Sequence, residues 1–146
     1  MTNIILDLAD FLLRVTSGVK RRLLFMRLGY RPDSDLSADL VLKNPANISI
    51  GSKVKIGPGC TLGAMSPIRI CDEVTLSQDV IVETGGLSLR GGRHHKSKPI
   101  TIHKGAWIGA RSIILSGVTI GEFAVIGAGL CIRSDVPSNE IVRESR

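Results

Sequence analysis

From residue 50 onward an aliphatic residue recurs at every sixth position. The first series is Ile50, Ile56 and Leu62. Two extra residues, Ile68-Arg69, then shift the frame, which restarts as Ile70, Leu76 and Val82. After an interruption from Glu83 to Thr101 it resumes as Ile102, Ile108, Ile114, Ile120, Ile126 and Ile132. Gly follows the aliphatic residue at 51, 57, 63, 109, 121 and 127. Four positions after it the residue is mostly small or β-branched, as at Val54, Cys60, Val74, Val80, Ala106, Val118 and Ala124; Leu130 is a bulky exception. A period of six matches no helix of 3.6 residues per turn. It matches short strands joined by tight corners, one inward aliphatic per face, with Gly supplying backbone freedom at the corner. Three faces per coil take 18 residues, so the twelve hexads predict about four coils, stacked ~4.8 Å apart. Each coil buries its aliphatic residues only against its neighbours, as in other solenoids. The predicted fold class is an all-β solenoid over 33–146.

The N-terminal segment has a different period. Ile5, Leu8, Leu12, Val15 and Val19 recur at helical spacing and predict a helix at about residues 3–27, stopped by Gly29 and Pro32. The chain therefore divides into a helical segment, 1–32, and the solenoid, 33–146, with one excursion at 83–101. At 146 residues there is little room for a second domain. Aromatic residues are only 3%, as a narrow interior requires.

Charge separates the two parts again. Arg14, Lys20, Arg21, Arg22, Arg27 and Arg31 lie between Phe11 and Pro32 with no acidic residue among them. The remainder carries 13 basic and 13 acidic residues, so the net charge of +6 belongs to that segment. No recognition motif or stacking aromatics accompany it, which argues against nucleic acid. A solvated helix face and peripheral contact with an anionic membrane both fit; so does a helix capping the open first coil through Leu23, Leu24, Phe25 and Met26. Asp7 and Asp10 are unlike a secretory leader, and no apolar run nears a membrane span. The expected location is cytoplasmic, with peripheral contact at the inner face of the membrane as the further reading. Cys60, Cys71 and Cys131 are odd in number and far apart, which suits buried thiols better than a disulfide or metal framework.

Residues 47–137 resemble the hexapeptide-repeat acyltransferases. The resemblance is carried by Lys98-Pro99-Ile100-Thr101-Ile102-His103-Lys104-Gly105-Ala106-Trp107-Ile108-Gly109-Ala110 and Leu115-Ser116-Gly117-Val118-Thr119-Ile120-Gly121. Val125-Ile126-Gly127-Ala128-Gly129 and Asp135-Val136-Pro137 extend it. It implies a left-handed parallel β-helix, acetyl-CoA as donor, and a homotrimer with sites between prisms. Among family branches the sequence is similar to the sugar O-acetyltransferases, of the maltose and galactoside type and of the polysaccharide-modifying type. Trp107, Gly109 and Ala110 would then lie near the pantetheine and thioester, with the Ala110 N–H as oxyanion donor. Ala128 would contact pantetheine, and Arg133 with Ser134 would lie near the adenosine phosphate.

Acetyl transfer from a thioester to a hydroxyl needs a base that works near neutrality, a role that suits histidine. His94 and His95 lie in the excursion, and His103 lies at a corner where relatives have Gly. The relatives' Thr-Gly-His register reads Thr84-Gly85-Gly86 here. The base is therefore expected from His94 or His95, with His95 preferred for its nearness to Pro99-Ile100, or the site is inactive. The relatives' Gly-x-Pro-Ala tail is replaced by Ile141-Val142-Arg143-Glu144-Ser145-Arg146. Two other readings stand beside this one. One is a non-catalytic scaffold. The other is a zinc enzyme similar to γ-carbonic anhydrases, which the spacing of the three histidines disfavours; no metal is expected.

Overall fold

The computed structural model describes residues 33–88 and 94–145. Its strands form three parallel sheets. The first sheet stacks Asp35–Leu36, Lys55–Ile56, Thr75–Leu76, Trp107–Ile108, Val125–Ile126 and Ile141–Val142. The second stacks Val41–Lys43, Thr61–Gly63, Ile81–Glu83, Ile113–Leu115 and Cys131–Ile132. The third stacks Ile48–Ile50, Ile68–Ile70, Ile100–Ile102 and Thr119–Ile120, and Val136 bridges to Ile120. Successive strands of a sheet belong to successive coils, so the chain winds through the three sheets in turn. One residue per strand points inward: Leu36, Ile56, Leu76, Ile108, Ile126 and Val142 on the first sheet, and Leu62, Val82, Ile114 and Ile132 on the second. These form one continuous buried column.

There are about five turns, not four. The extra turn uses Leu36, Leu42 and Ile48, which are six apart but two residues out of frame with Ile50. The same slip occurs at Ile68–Ile70 and Ile100–Ile102, where three-residue strands turn both flanking isoleucines inward. The only described helix is the single 3₁₀ turn Pro45–Asn47. The predicted helix at 3–27 and its basic residues lie outside the described residues. No described helix is long and apolar enough to cross a membrane.

The glycines that follow the inward aliphatic residues serve a different purpose from the one their spacing suggested. Positive φ occurs two residues further on, at Lys53, Gly59, Glu73, Asp79, Gly105, Arg111, Gly117, Phe123, Gly129 and Asn139. The earlier glycines are needed for close approach. A Cβ on Gly109 would stand 2.6 Å from the Ala128 amide nitrogen, which is backbone and cannot move aside. Gly at that position allows coils to stack at sheet spacing.

The excursion is a β-hairpin. Gly85–Ser88 pairs antiparallel with His94–Ser97, in the register His94↔Ser88, His95↔Leu87, Lys96↔Gly86 and Ser97↔Gly85. Its root is fixed to the coil below. The buried Thr84 donates its hydroxyl to the Gly63 carbonyl at 2.9 Å and accepts the Ser66 N–H at 3.0 Å. Ser66 Oγ donates to Ser97 Oγ at 2.7 Å, and Glu83 Oε1 accepts the Gly85 N–H at 2.9 Å.

Candidate active site

The prism has three corners, and the predicted site residues divide between two of them. Trp107, Gly109, Ala110 and Ala128 gather at the first corner, between the first and second sheets. Trp107 pairs with Val125 and Ile108 with Ile126, so Ala110 and Ala128 fall one above the other in coils four and five. The Gly129 N–H donates to the Ala110 carbonyl at 2.8 Å, and the Gly109 N–H donates to the Ile126 carbonyl at 2.8 Å. The buried Ser112 joins the same two coils: its hydroxyl donates to the Gly127 carbonyl at 2.8 Å and accepts the Leu130 N–H at 3.2 Å.

This stacking leaves two amides available. The Ala110 and Ala128 N–H groups have no hydrogen-bond partner among the described residues. Beside them the Trp107 indole is 55% exposed, and its Nε1–H donates to Ser77 Oγ at 3.1 Å. Sequence spacing did not single out Ser77. It lies one coil below Trp107, and its hydroxyl fixes the ring's outward orientation. An exposed, oriented aromatic plane next to free N–H donors suits a flexible apolar arm that ends in a polarised carbonyl.

His94, His95, Arg133 and Ser134 lie at the second corner, between the second and third sheets. Both histidines are exposed on the hairpin strand. Arg133 and Ser134 are exposed just after Cys131–Ile132, two coils further along. His103 is at the third corner, one face away from the histidine pair. Among the described residues no group of three His, Cys, Asp or Glu side chains is placed to hold a metal ion.

Two of the thiols, Cys60 and Cys71, are poor nucleophiles. Burial pushes the Cys60 thiol up from its ordinary value, and its Sγ donates to the Ser77 carbonyl at 3.0 Å. Burial also raises Cys71, with Arg69 pulling partly the other way. A raised thiol is neutral near pH 7, and a neutral thiol does not attack a thioester.

The sequence profile of the bacterial transferase hexapeptide, six repeats, matches residues 99–134. That span contains Trp107, Gly109, Ala110, Ala128 and Arg133. Residues 99–134 thus carry the bacterial transferase hexapeptide repeat. The galactoside O-acetyltransferase of Escherichia coli is 34% identical over 107 residues, covering 66% of this chain and 53% of that one. A Vibrio cholerae hexapeptide-repeat acetyltransferase, solved in complex with acetyl-CoA, superposes with a TM-score of 0.79 at 27% identity. The match covers 86% of this chain and 71% of that one. A polySia-specific acetyltransferase superposes with a TM-score of 0.57 at 28% identity, over 62% of this chain and 42% of that one. The chain spans about half the length of the curated relatives it matches. Within the solenoid, the first corner is the part richest in features suited to a thioester donor.

Proposed function

We propose that this chain is an acetyl-CoA-dependent O-acetyltransferase acting on a saccharide, built on a left-handed solenoid. The observation that carries the reading is the first corner: free N–H groups at Ala110 and Ala128 beside the oriented Trp107 indole, in a chain similar to acetyltransferases. The pantetheine arm lies along Trp107 and Gly109, the thioester carbonyl oxygen accepts from the Ala110 N–H, and Ala128 contacts the arm. Arg133 and Ser134 serve the donor's phosphates. A hairpin histidine takes the acceptor proton, and the oxygen attacks the thioester directly, with no acyl-enzyme. The saccharide acceptor is supported by the galactoside and polySia enzymes to which the chain is similar.

The division between corners supports a homotrimer. A hexad of extended chain spans at most ~20 Å, so neighbouring corners stand on the order of 15–20 Å apart. A base and an oxyanion donor must both lie within about 3–3.5 Å of the reacting atoms. The second corner of one prism can meet the first corner of another at a subunit boundary. Light scattering should give three times the chain mass at micromolar concentration; a monomer that still transfers acetyl groups contradicts the shared site. Trp107→Ala should weaken acetyl-CoA binding about tenfold in calorimetric titration, from loss of the indole's contact area. Unchanged affinity would remove Trp107 from the donor site. A cytoplasmic location is part of the same proposal, with peripheral contact at the inner face of the membrane as a further reading that rests on the basic N-terminal sequence.

A further inference from the structure

The hairpin has two unlike faces. In an antiparallel ribbon, directly opposed residues and residues two apart point the same way. Gly85, Leu87, His95 and Ser97 therefore share one face, and Gly86, His94 and Lys96 share the other. The first face is turned toward coil two: Ser97 Oγ is bonded to Ser66 Oγ, and a Cβ on Gly85 would stand 2.7 Å from Met65 Sδ. The second face is turned away from coil two. Among the described residues a Cβ on Gly86 would meet only the Lys96 carbonyl, at 3.5 Å, an ordinary contact, so no described side chain fills the space over Gly86 on this face.

The described residues around this face are mainly cationic. No Asp or Glu occurs between Glu83 and Glu122 in the sequence, while Lys96, Lys98 and Lys104 do. Glu83 is held by the Gly85 N–H. Lys104 is paired with Glu73 at 3.4 Å on the far side of the third sheet. Lys96 makes no ion pair with a described residue. Lys98 lays its stem against Gly117 at the same corner; two coils on come Arg133 and Asp135, whose carboxylate accepts the Thr119 N–H at 2.7 Å.

We propose that the Gly86–His94–Lys96 face of the hairpin is the acceptor site, that His94 rather than His95 is the base, and that the acceptor is an anionic saccharide. The inference rests on the acetyltransferase reading for its chemistry. Lys96 pairs with a carboxylate or phosphate on the sugar, and the gap at Gly86 admits the ring. The His94 imidazole takes the proton of the neighbouring hydroxyl as that oxygen attacks the acetyl carbonyl. The new C–O bond forms, the C–S bond breaks, and the CoA thiolate takes the proton from the imidazolium. The preference for His95 on sequence nearness is thereby reversed, because register rather than distance along the chain sets which way each ring faces.

Binding is tested first, without turnover. The full chain is titrated at low ionic strength with a sialic acid oligomer, galactose phosphate, galactose and maltotriose. At least one anionic sugar should bind about tenfold more tightly than the neutral ones, and Lys96→Gln should reduce that preference to about twofold. The tighter of the two anions identifies carboxylate or phosphate as the recognised group. Equal binding of neutral and anionic sugars, no binding of either anion, or an unchanged preference in Lys96→Gln overturns the proposal. A tenfold loss of acetyl-CoA affinity in Lys96→Gln also overturns it, because Lys96 would then serve the donor. In turnover, His94→Gln should lower kcat by ~10²–10⁴, at least about tenfold more than His95→Gln. The reverse order contradicts the face assignment. Acetyl-CoA binding without transfer to any acceptor sinks the acetyltransferase reading and His94's role with it, while the binding titration still decides the anion site.

Discussion

Replacing His94 and His95 together by glutamine is expected to lower kcat by about 10²–10⁴, the usual worth of a positioned general base. Acetyl-CoA affinity should hold, because neither ring is among the proposed donor contacts, Trp107, Gly109, Ala110, Ala128, Arg133 and Ser134. Stability should change by no more than about 0.5 kcal/mol, since both side chains are exposed and outside the buried column. Glutamine retains hydrogen-bonding capacity and similar size but cannot take a proton near neutrality. Turnover by the double variant at the parent rate would remove histidine from the mechanism. A large loss of stability would show instead that the histidines hold the hairpin together.

Ile114→Ala should produce the largest loss of stability, about 2–5 kcal/mol. Ile114 is fully buried, and its register places it between Val82 below and Ile132 above. Removing its side chain leaves a cavity that neither neighbour can fill, because each is tied to its own coil by backbone hydrogen bonds. In a solenoid each coil depends on the next, so the loss weakens coils three and five as well. The outward Ile141, 59% exposed, provides the control. Its replacement by Ala should cost no more than about 0.5 kcal/mol. Equal effects at the two positions, read from denaturant midpoints, would contradict the inward and outward assignment.

These two cases show what a six-residue period can reveal. Inward positions such as Ile108, Ile114 and Ile120 were legible because a narrow prism has one inward slot per face. The first-corner residues came from the family resemblance and not from the period, which adds only that Ala110 and Ala128 fall one coil apart. The first turn was less visible. Leu36 and Leu42 are in phase with Ile48, and the two-residue slip to Ile50 masks the link. The glycines were located correctly but assigned the wrong physical role, because contacts between coils are not written in local sequence. The hairpin read as a loop. A two-stranded ribbon outside the core has no buried face, so nothing forces apolar and polar residues to alternate along it. The division of His94 from His95 depends on that pairing and was not available from spacing.

The most direct test of the account is thiol release from acetyl-CoA, followed across a panel of neutral and anionic saccharides, with the parent chain beside the His94→Gln, His95→Gln double variant. The account predicts release that depends on an acceptor and falls by about 10²–10⁴ in the double variant. Acetyl-CoA binding without acceptor-dependent release would contradict it and leave the prism a non-catalytic scaffold.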